Sequence, residues 1–418
     1  MKNGKIYRVA IFLLFLGCSK SQITPSGNDD YNLVGTTPIA GSVMKKMEGI
    51  YTLSDGSSDL GSQFVCKTSK SRVSFFSDLD GIFFILKYGY DPTDGSIQFS
   101  GFWRYSEFPT QGTIHFSISA ADGATDLLAG IISNLKLQGT FSDNAISLHY
   151  EHAFSNYATN NPFMVIAHHG VQTTSNPPYA ENSINGVLND ENYGCYGLEF
   201  DVRMTSDHVP ICIHDASINT RLTEKGPLSG DWDQYSFALI SQYIRLIDGQ
   251  KVPSVEEALN AFIDSTTMKY FWMDVKGNTD IFKYLEPVVR NAYARAEAEG
   301  RDVVIFAGLP SSDVIDELNQ QPTYKSTNTA YTYSLPLPTL AEESFDKTLS
   351  TSSQFFGPRY SLGLLLDDVE QAHNDGIKVI SWTLNGKDLI SEYLQDGKFD
   401  GFITDYPAYV VYDFYTMF

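Results

Sequence analysis

Residues 197–215 read GLEFDVRMTSDHVPICIHD. Glu199 and Asp201 stand two apart, and Leu198, Phe200 and Val202 take the alternate positions. Residues two apart in a strand share a face, so the carboxylates point one way and the apolar side chains the other. Two carboxylates on one face of a buried strand are costly unless a positive group lies between them. After a short polar turn a second strand-like run ends in His214-Asp215. The stretch predicts strands that end in reactive side chains.

Outward from it, strand-like runs alternate with helical patterns. The runs are MVIAHHG (164–170), GLEFDVRMT (197–205), VPICIHD (209–215), KYFWMDVKG (269–277), DVVIFAGLP (302–310), TAYTYSL (329–335), KVISWTLN (378–385) and GFITD (401–405). Helical patterns include VEEALNAFID, DIFKYLEPVVRNAYARAEAEG, SDVIDELNQ and LLLDDVEQAHNDG. Alternating strands and helices imply a parallel sheet. Eight strands over roughly 250 residues predict a (β/α)8 TIM barrel, with a doubly wound open sheet as the alternative. The run 209–215 follows its predecessor by too short a turn for a regular βα repeat.

Residues 43–155 read differently. Runs such as RVSFF, GIFFILKYGY, SIQFSGFWRY, TIHFSIS and AISLHYEH are rich in β-branched and aromatic residues. Asp-Gly pairs at 55–56, 80–81, 94–95 and 122–123 mark turns between them. Helical periodicity is scarce apart from ATDLLAGIISNL. This predicts a small all-β sandwich or barrel ahead of the α/β domain at 162–418. Tyr88, Tyr90, Trp103 and Tyr105 are expected in its core or in cross-strand pairs, with a binding face as the alternative. Its partner is not legible.

At the start, Lys2, Lys5 and Arg8 precede the apolar run VAIFLLFLG and Cys18. A charged start with an apolar run of about nine residues reads as a secretory signal over 1–18, too short to span a bilayer. The FLGC ending resembles a bacterial lipobox, which implies lipidation at Cys18, and 19–42 is a polar tether. Export, anchored to the cell envelope at the outer membrane or facing the periplasm, is the expected location. The chain has 418 residues and a formal net charge of −21, which argues against nucleic acid as a partner. Cys66, Cys195 and Cys212 show no zinc spacing and are expected as buried thiols, although export permits a Cys195–Cys212 bridge.

On a barrel the chemistry lies at the C-terminal ends of the strands. His168-His169 end the first run, Glu199 and Asp201 lie in the second, and His214-Asp215 end the third. Asp274 and Lys276 lie in the fourth, and Trp382 in the seventh. Considered singly, Glu199 and Asp201 pair with Arg203, and Asp274 with Lys276. Taken together, three carboxylates make a hard oxygen site for a divalent cation, Ca2+ or Mg2+ rather than zinc.

The ordered set HHG, Glu181-Asn182-Ser183, EFDV, His214-Asp215, PSVEE (253–257), Asp274-Val275-Lys276, Trp382-Thr383-Leu384-Asn385 and GFITD resembles the glycerophosphodiester phosphodiesterase family from about residue 162 to 410. The resemblance implies a metal held by Glu199, Asp201 and Asp274, and an acid/base pair of His168 and His214. It implies Glu181 as a supporting residue, Lys276 on the phosphate and Trp382 as an apolar wall. The expected substrate is a small glycerophosphodiester, opened through a cyclic phosphate to glycerol 3-phosphate and an alcohol. A related phospholipase that stops at the cyclic product, or an inactive binding lipoprotein, are the alternatives.

Two positions depart from the family pattern. His169 stands where the family has arginine, and an imidazole lacks the bidentate fork of a guanidinium. Arg203, Lys276 or Arg359 is expected to compensate, or substrate binding weakens as pH rises. Asp274 replaces the usual glutamate. Past His214-Asp215, the family's arginine falls at Thr220 or Arg221, its register open.

Overall fold

The computed structural model describes residues 33–418 except 57–59, 78, 142–143, 171–176, 277–279, 310–337 and 343. The signal segment, Cys18, most of the tether, the run TAYTYSL and the helical pattern SDVIDELNQ lie outside the described residues.

Eight antiparallel strands form the N-terminal part: β1 (Gly49–Asp55), β2 (Gln63–Thr68), β3 (Val73–Phe76), β4 (Phe83–Asp91), β5 (Ser96–Arg104), β6 (Gln111–Ile118), β7 (Lys136–Phe141) and β8 (Asn144–His152). Each pairs with the next, and β8 returns to β1, so the sheet closes as a barrel rather than a sandwich. Three of the four Asp-Gly pairs lie between strands, and the fourth, Asp55-Gly56, ends β1. Closure leaves no open edge to template pairing with another chain. Phe64, Phe75, Phe84, Phe99 and Phe116 fill the interior. Trp103 packs with them, its ring 4.8 Å from that of Phe141, and Tyr88, Tyr90 and Tyr105 pack on the same cluster. Trp103 is core, and the three tyrosines are half-buried against it.

The C-terminal part is built on β9 (Met164–Ala167), β10 (Gly197–Met204), β11 (Pro210–Cys212), β12 (Ser217–Ile218), β13 (Gly230–Asp231), β14 (Tyr270–Val275), β15 (Val304–Leu309), β16 (Thr339–Ala341), β17 (Phe355–Phe356), β18 (Lys378–Ser381) and β19 (Gly401–Thr404). The eight strands β9, β10 and β14–β19 run parallel, and β9 pairs with both β10 and β19, which closes the barrel. One parity of each strand fills the interior, as with Ile166, Trp272, Phe306 and Ile380. The other parity, as with Phe200, Met273 and Ile305, packs on the surrounding helices.

The run 209–215 is not a barrel strand, which corrects its expected place. As β11 it pairs antiparallel with β10, Val202 opposite Cys212 and Met204 opposite Pro210. The turn between them is a handful of residues, and a parallel crossover needs a dozen or more. The barrel instead includes β16 and β17, three and two residues long, too short to show alternation. PSVEE starts the helix Val255–Ser265: Ser254 and Glu257 form a reciprocal capping box. Its place is structural. Cys66, Cys195 and Cys212 are buried and free.

The two barrels share one apolar cluster. Outward-facing Val65, Phe76, Phe83 and Ile85 of the first join Tyr193, Val411 and Phe414 of the second. Polar ties frame the contact. Ser74 Oγ donates to the carbonyl of Asn192 at 2.6 Å, and Lys67 Nζ to Tyr415 Oη at 3.1 Å. Tyr409 Oη donates to Glu107 Oε1 at 3.0 Å. Tyr409 and Tyr415 lie on the helix Pro407–Met417, which follows β19.

Candidate active site

The parallel register of β10 and β14 sets Glu199 beside Trp272 and Asp201 beside Asp274. All four occupy the interior parity, so the carboxylates converge inside the barrel mouth. Oxygens of Glu199, Asp201 and Asp274 lie within 4.8 Å of one another, and Glu199 and Asp201 are buried. Burial, with Asp201 and Asp274 alongside, pushes the Glu199 carboxyl well above the usual carboxylate range. Burial also raises Asp274, against the pull of Lys276. Burial acts upward on Asp201 too, but His169, Lys276 and His214 outweigh it and hold that carboxyl low. Asn182 reinforces this, donating Nδ2–H to Asp201 Oδ2 at 2.8 Å.

Glu199 Oε1 is buried without a hydrogen-bond partner, and Asp201 Oδ1 is buried with the Lys276 ammonium 3.1 Å away. A buried carboxylate oxygen with no partner, beside two further acids, is costly, and an all-oxygen set of this kind suits a hard divalent cation. The residues present fit such an ion. Asp274, although one methylene shorter than glutamate, reaches the cluster.

Two imidazoles stand at the rim, each backed by its own carboxylate. His168, directly after β9, donates Nδ1–H to Asp405 Oδ1 at 2.7 Å. Asp405 is fixed by Asn385, which donates to its Oδ2 at 2.7 Å and accepts from its backbone N–H at 2.9 Å. His214, beyond β11, donates Nδ1–H to Asp215 Oδ1 at 2.8 Å. A carboxylate on Nδ1 sets the tautomer and leaves Nε2 for proton traffic. The His169 ring lies 3.7 Å from that of His168 and 5.1 Å from that of His214, centroid to centroid.

Arg221 ties the second histidine to the scaffold. Its guanidinium donates to both Glu181 oxygens, at 2.8 and 3.0 Å. It also donates to both Asp215 oxygens, at 3.0 and 2.7 Å. Of Thr220 and Arg221, it is Arg221 whose side chain reaches the site. Glu181 supports the site through this arginine and is buried. Burial opposes the charge on Arg221, but hydrogen bonds to Asp215 and Glu181 raise its pKa above the ordinary value.

His168, His169, His214, Arg203, Lys276 and Trp382 line one cavity of about 710 Å³, together with Glu199 and Asp274. Asp201 lies below it. Arg203 donates Nε–H to the carbonyl of His214 at 2.7 Å; its first duty is to that loop. Lys276 Nζ lies 2.5 Å from Asp274 Oδ2 and 3.1 Å from Asp201 Oδ1. Burial opposes its charge, but these carboxylates keep the ammonium protonated above its ordinary range. Burial drives the His169 pKa well below the ordinary value, despite Asp201. Sequence reasoning assigned no role to Asp405, Asn385 or Asn182, although all three lie inside the quoted motifs.

A parallel barrel with acid-backed imidazoles and converging carboxylates at its mouth is an arrangement suited to the hydrolysis of phosphate esters. The sequence model of the Glycerophosphoryl diester phosphodiesterase family matches residues 168–409, and the chain belongs to that family. Its members are phosphoric diester hydrolases. A glycerophosphodiester phosphodiesterase of Caldanaerobacter subterraneus subsp. tengcongensis is 23% identical over 251 residues, 59% of this chain and 96% of the relative. The crystal structure of a glycerophosphodiester phosphodiesterase from Parabacteroides distasonis is 19% identical with a TM-score of 0.48, covering 61% of this chain and 97% of its own. A phosphodiesterase of Oleispira antarctica, solved with the product sn-glycerol-3-phosphate, is 17% identical with a TM-score of 0.45, covering 60% and 96%. The antiparallel barrel lies outside the family match.

Proposed function

We propose that this chain hydrolyses small glycerophosphodiesters to sn-glycerol 3-phosphate and an alcohol, with His168 and His214 as the acid/base pair. One observation carries the reading: two imidazoles, each oriented by a carboxylate at 2.7–2.8 Å, face one cavity floored by three converging acids.

Glu199, Asp201 and Asp274 would hold a divalent cation, Ca2+ or Mg2+. Bound there, the ion would supply positive charge to the non-bridging phosphate oxygens. One imidazole takes the proton of the glycerol 2-hydroxyl as that oxygen bonds to phosphorus. The other protonates the leaving oxygen as its P–O bond breaks, which gives a cyclic phosphate. Water then adds to phosphorus with the proton roles reversed, and the bond to the 2-oxygen breaks. Lys276 supplies further positive charge beside the phosphate.

The test is turnover of a glycerophosphodiester panel with and without chelator, products read by phosphorus NMR. The wild type releases sn-glycerol 3-phosphate and stops when chelated. Loss of either histidine in H168A or H214A lowers kcat by roughly 10²–10⁴-fold. Turnover that survives the chelator, or a fully active H168A enzyme, contradicts the reading. An accumulating cyclic phosphate moves the assignment to the phospholipase type.

We also propose export and lipid anchoring at Cys18, from the charged and apolar start of the chain. C18A should shift the protein from the membrane fraction to the soluble one; an unchanged distribution rejects the anchor.

A further inference from the structure

A phosphate is gripped best by a cation with donors to spare, and three of the four candidates in this cavity each have a partner in the protein. His169 has left-handed backbone, φ 53°, which turns its N–H to Glu199 Oε2 at 3.0 Å. Its Nε2 lies 3.3 Å from Asp201 Oδ2, so the imidazole edge faces the acids. Arg203 spends its Nε–H on the carbonyl of His214, which ties its guanidinium to that loop. Lys276 bridges Asp201 and Asp274.

Arg359 differs. It lies just after β17 on the cavity wall, and its guanidinium has neither an ion pair nor a hydrogen bond among the described residues. It lies 4.6 Å over the Trp382 ring. The ring is itself anchored, since Trp382 donates Nε1–H to the carbonyl of Gly357 at 2.7 Å. The backbones are zipped together as well: Tyr360 N–H donates to the Trp382 carbonyl at 2.9 Å, and Trp382 N–H to that of Pro358 at 3.3 Å. A guanidinium held over a ring is held without spending its N–H donors, and a guanidinium with donors to spare matches two oxygens of one phosphate.

We propose that Arg359 is the guanidinium that grips the substrate phosphate in this chain, standing in from the wall after β17 for the arginine that position 169 lacks. Trp382 serves as its backing plate. The ligand chemistry is a phosphodiester or phosphomonoester anion, and the inference rests on the phosphodiesterase reading above.

The test compares wild type, R359Q and R359K by calorimetric binding of sn-glycerol 3-phosphate and inorganic phosphate, and by steady-state kinetics. R359Q is expected to weaken both ligands and raise KM roughly 10- to 100-fold, with a smaller change in kcat. R359K restores the charge but not the fork, so it should fall between them. Guanidinium ion added to R359Q should recover part of the lost KM, which a merely structural role would not allow. Phosphate affinity and KM within twofold of wild type in R359Q overturn the proposal while wild-type turnover stands. Inert wild type whose phosphate binding still depends on Arg359 overturns the phosphodiesterase reading and keeps the anion site.

Discussion

Asp215 shows how much of this site depends on side chains that do not touch substrate. It accepts from His214, from Arg221 and from Asn219 Nδ2 at 2.7 Å. Burial acts to raise its pKa, but the bonds from Arg221, His214 and Asn219 hold the carboxyl well below the usual range. A carboxyl lowered in the fold stabilises it above the unfolded value, about 3.9. That contribution is lost as pH falls through the folded value. Asp215→Asn should therefore cost stability fully between about pH 5 and 7, and the gap should shrink below about pH 4. Urea midpoints of wild type and variant across that range measure it; a gap that widens on acidification contradicts the assignment. The same variant should lose turnover while remaining folded, because His214 loses the partner that sets its tautomer.

Among the elements, those whose pattern is long enough were legible. EFDV and DVK each show two-residue alternation, which sets the acids of each strand on one face, and the pairing of the strands then brings Asp201 beside Asp274. β16 and β17 are too short to carry a period, and β11 carries a strand pattern without barrel topology. Composition marks the residue type, but pairing decides the sheet. The site was legible where reactive groups end strands. It was not legible where a partner is distant: His168 and Asp405 are 237 positions apart, and no local pattern links them.

Close strand approach also sets glycine positions. A Cβ on Gly401 would lie 2.5 Å from Met164 Cβ and 2.6 Å from Met164 O, where β19 pairs with β9. Gly401→Ala should destabilise by about 1–3 kcal/mol through overpacking. Gly41→Ala is the control: there the nearest neighbour, the carbonyl oxygen of Lys70, is 3.9 Å away, and no loss is expected. Equal urea midpoints for the two variants refute the packing argument.

For the whole molecule, the antiparallel barrel covers apolar surface that the catalytic barrel does not bury alone. Val65, Phe76, Phe83 and Ile85 are at most 3% exposed, although they face outward from their own barrel. Residues 156–418 expressed alone should melt at lower temperature and scatter more light than the full chain, as exposed patches of more than a few hundred Å² usually cause. An isolated domain that melts with the full chain and stays monomeric contradicts this.

One feature of the contact reaches the chemistry. Asp405, which aims the imidazole of His168, is followed after a single residue by Pro407, the first residue of the helix whose Tyr409 and Tyr415 the antiparallel barrel grips. The appendage is thus mechanically in series with the imidazole proposed to move a proton. Loosening that grip frees the mount on which His168 is aligned, so a lesion in the first barrel can register as a loss of rate with every reacting residue still in place.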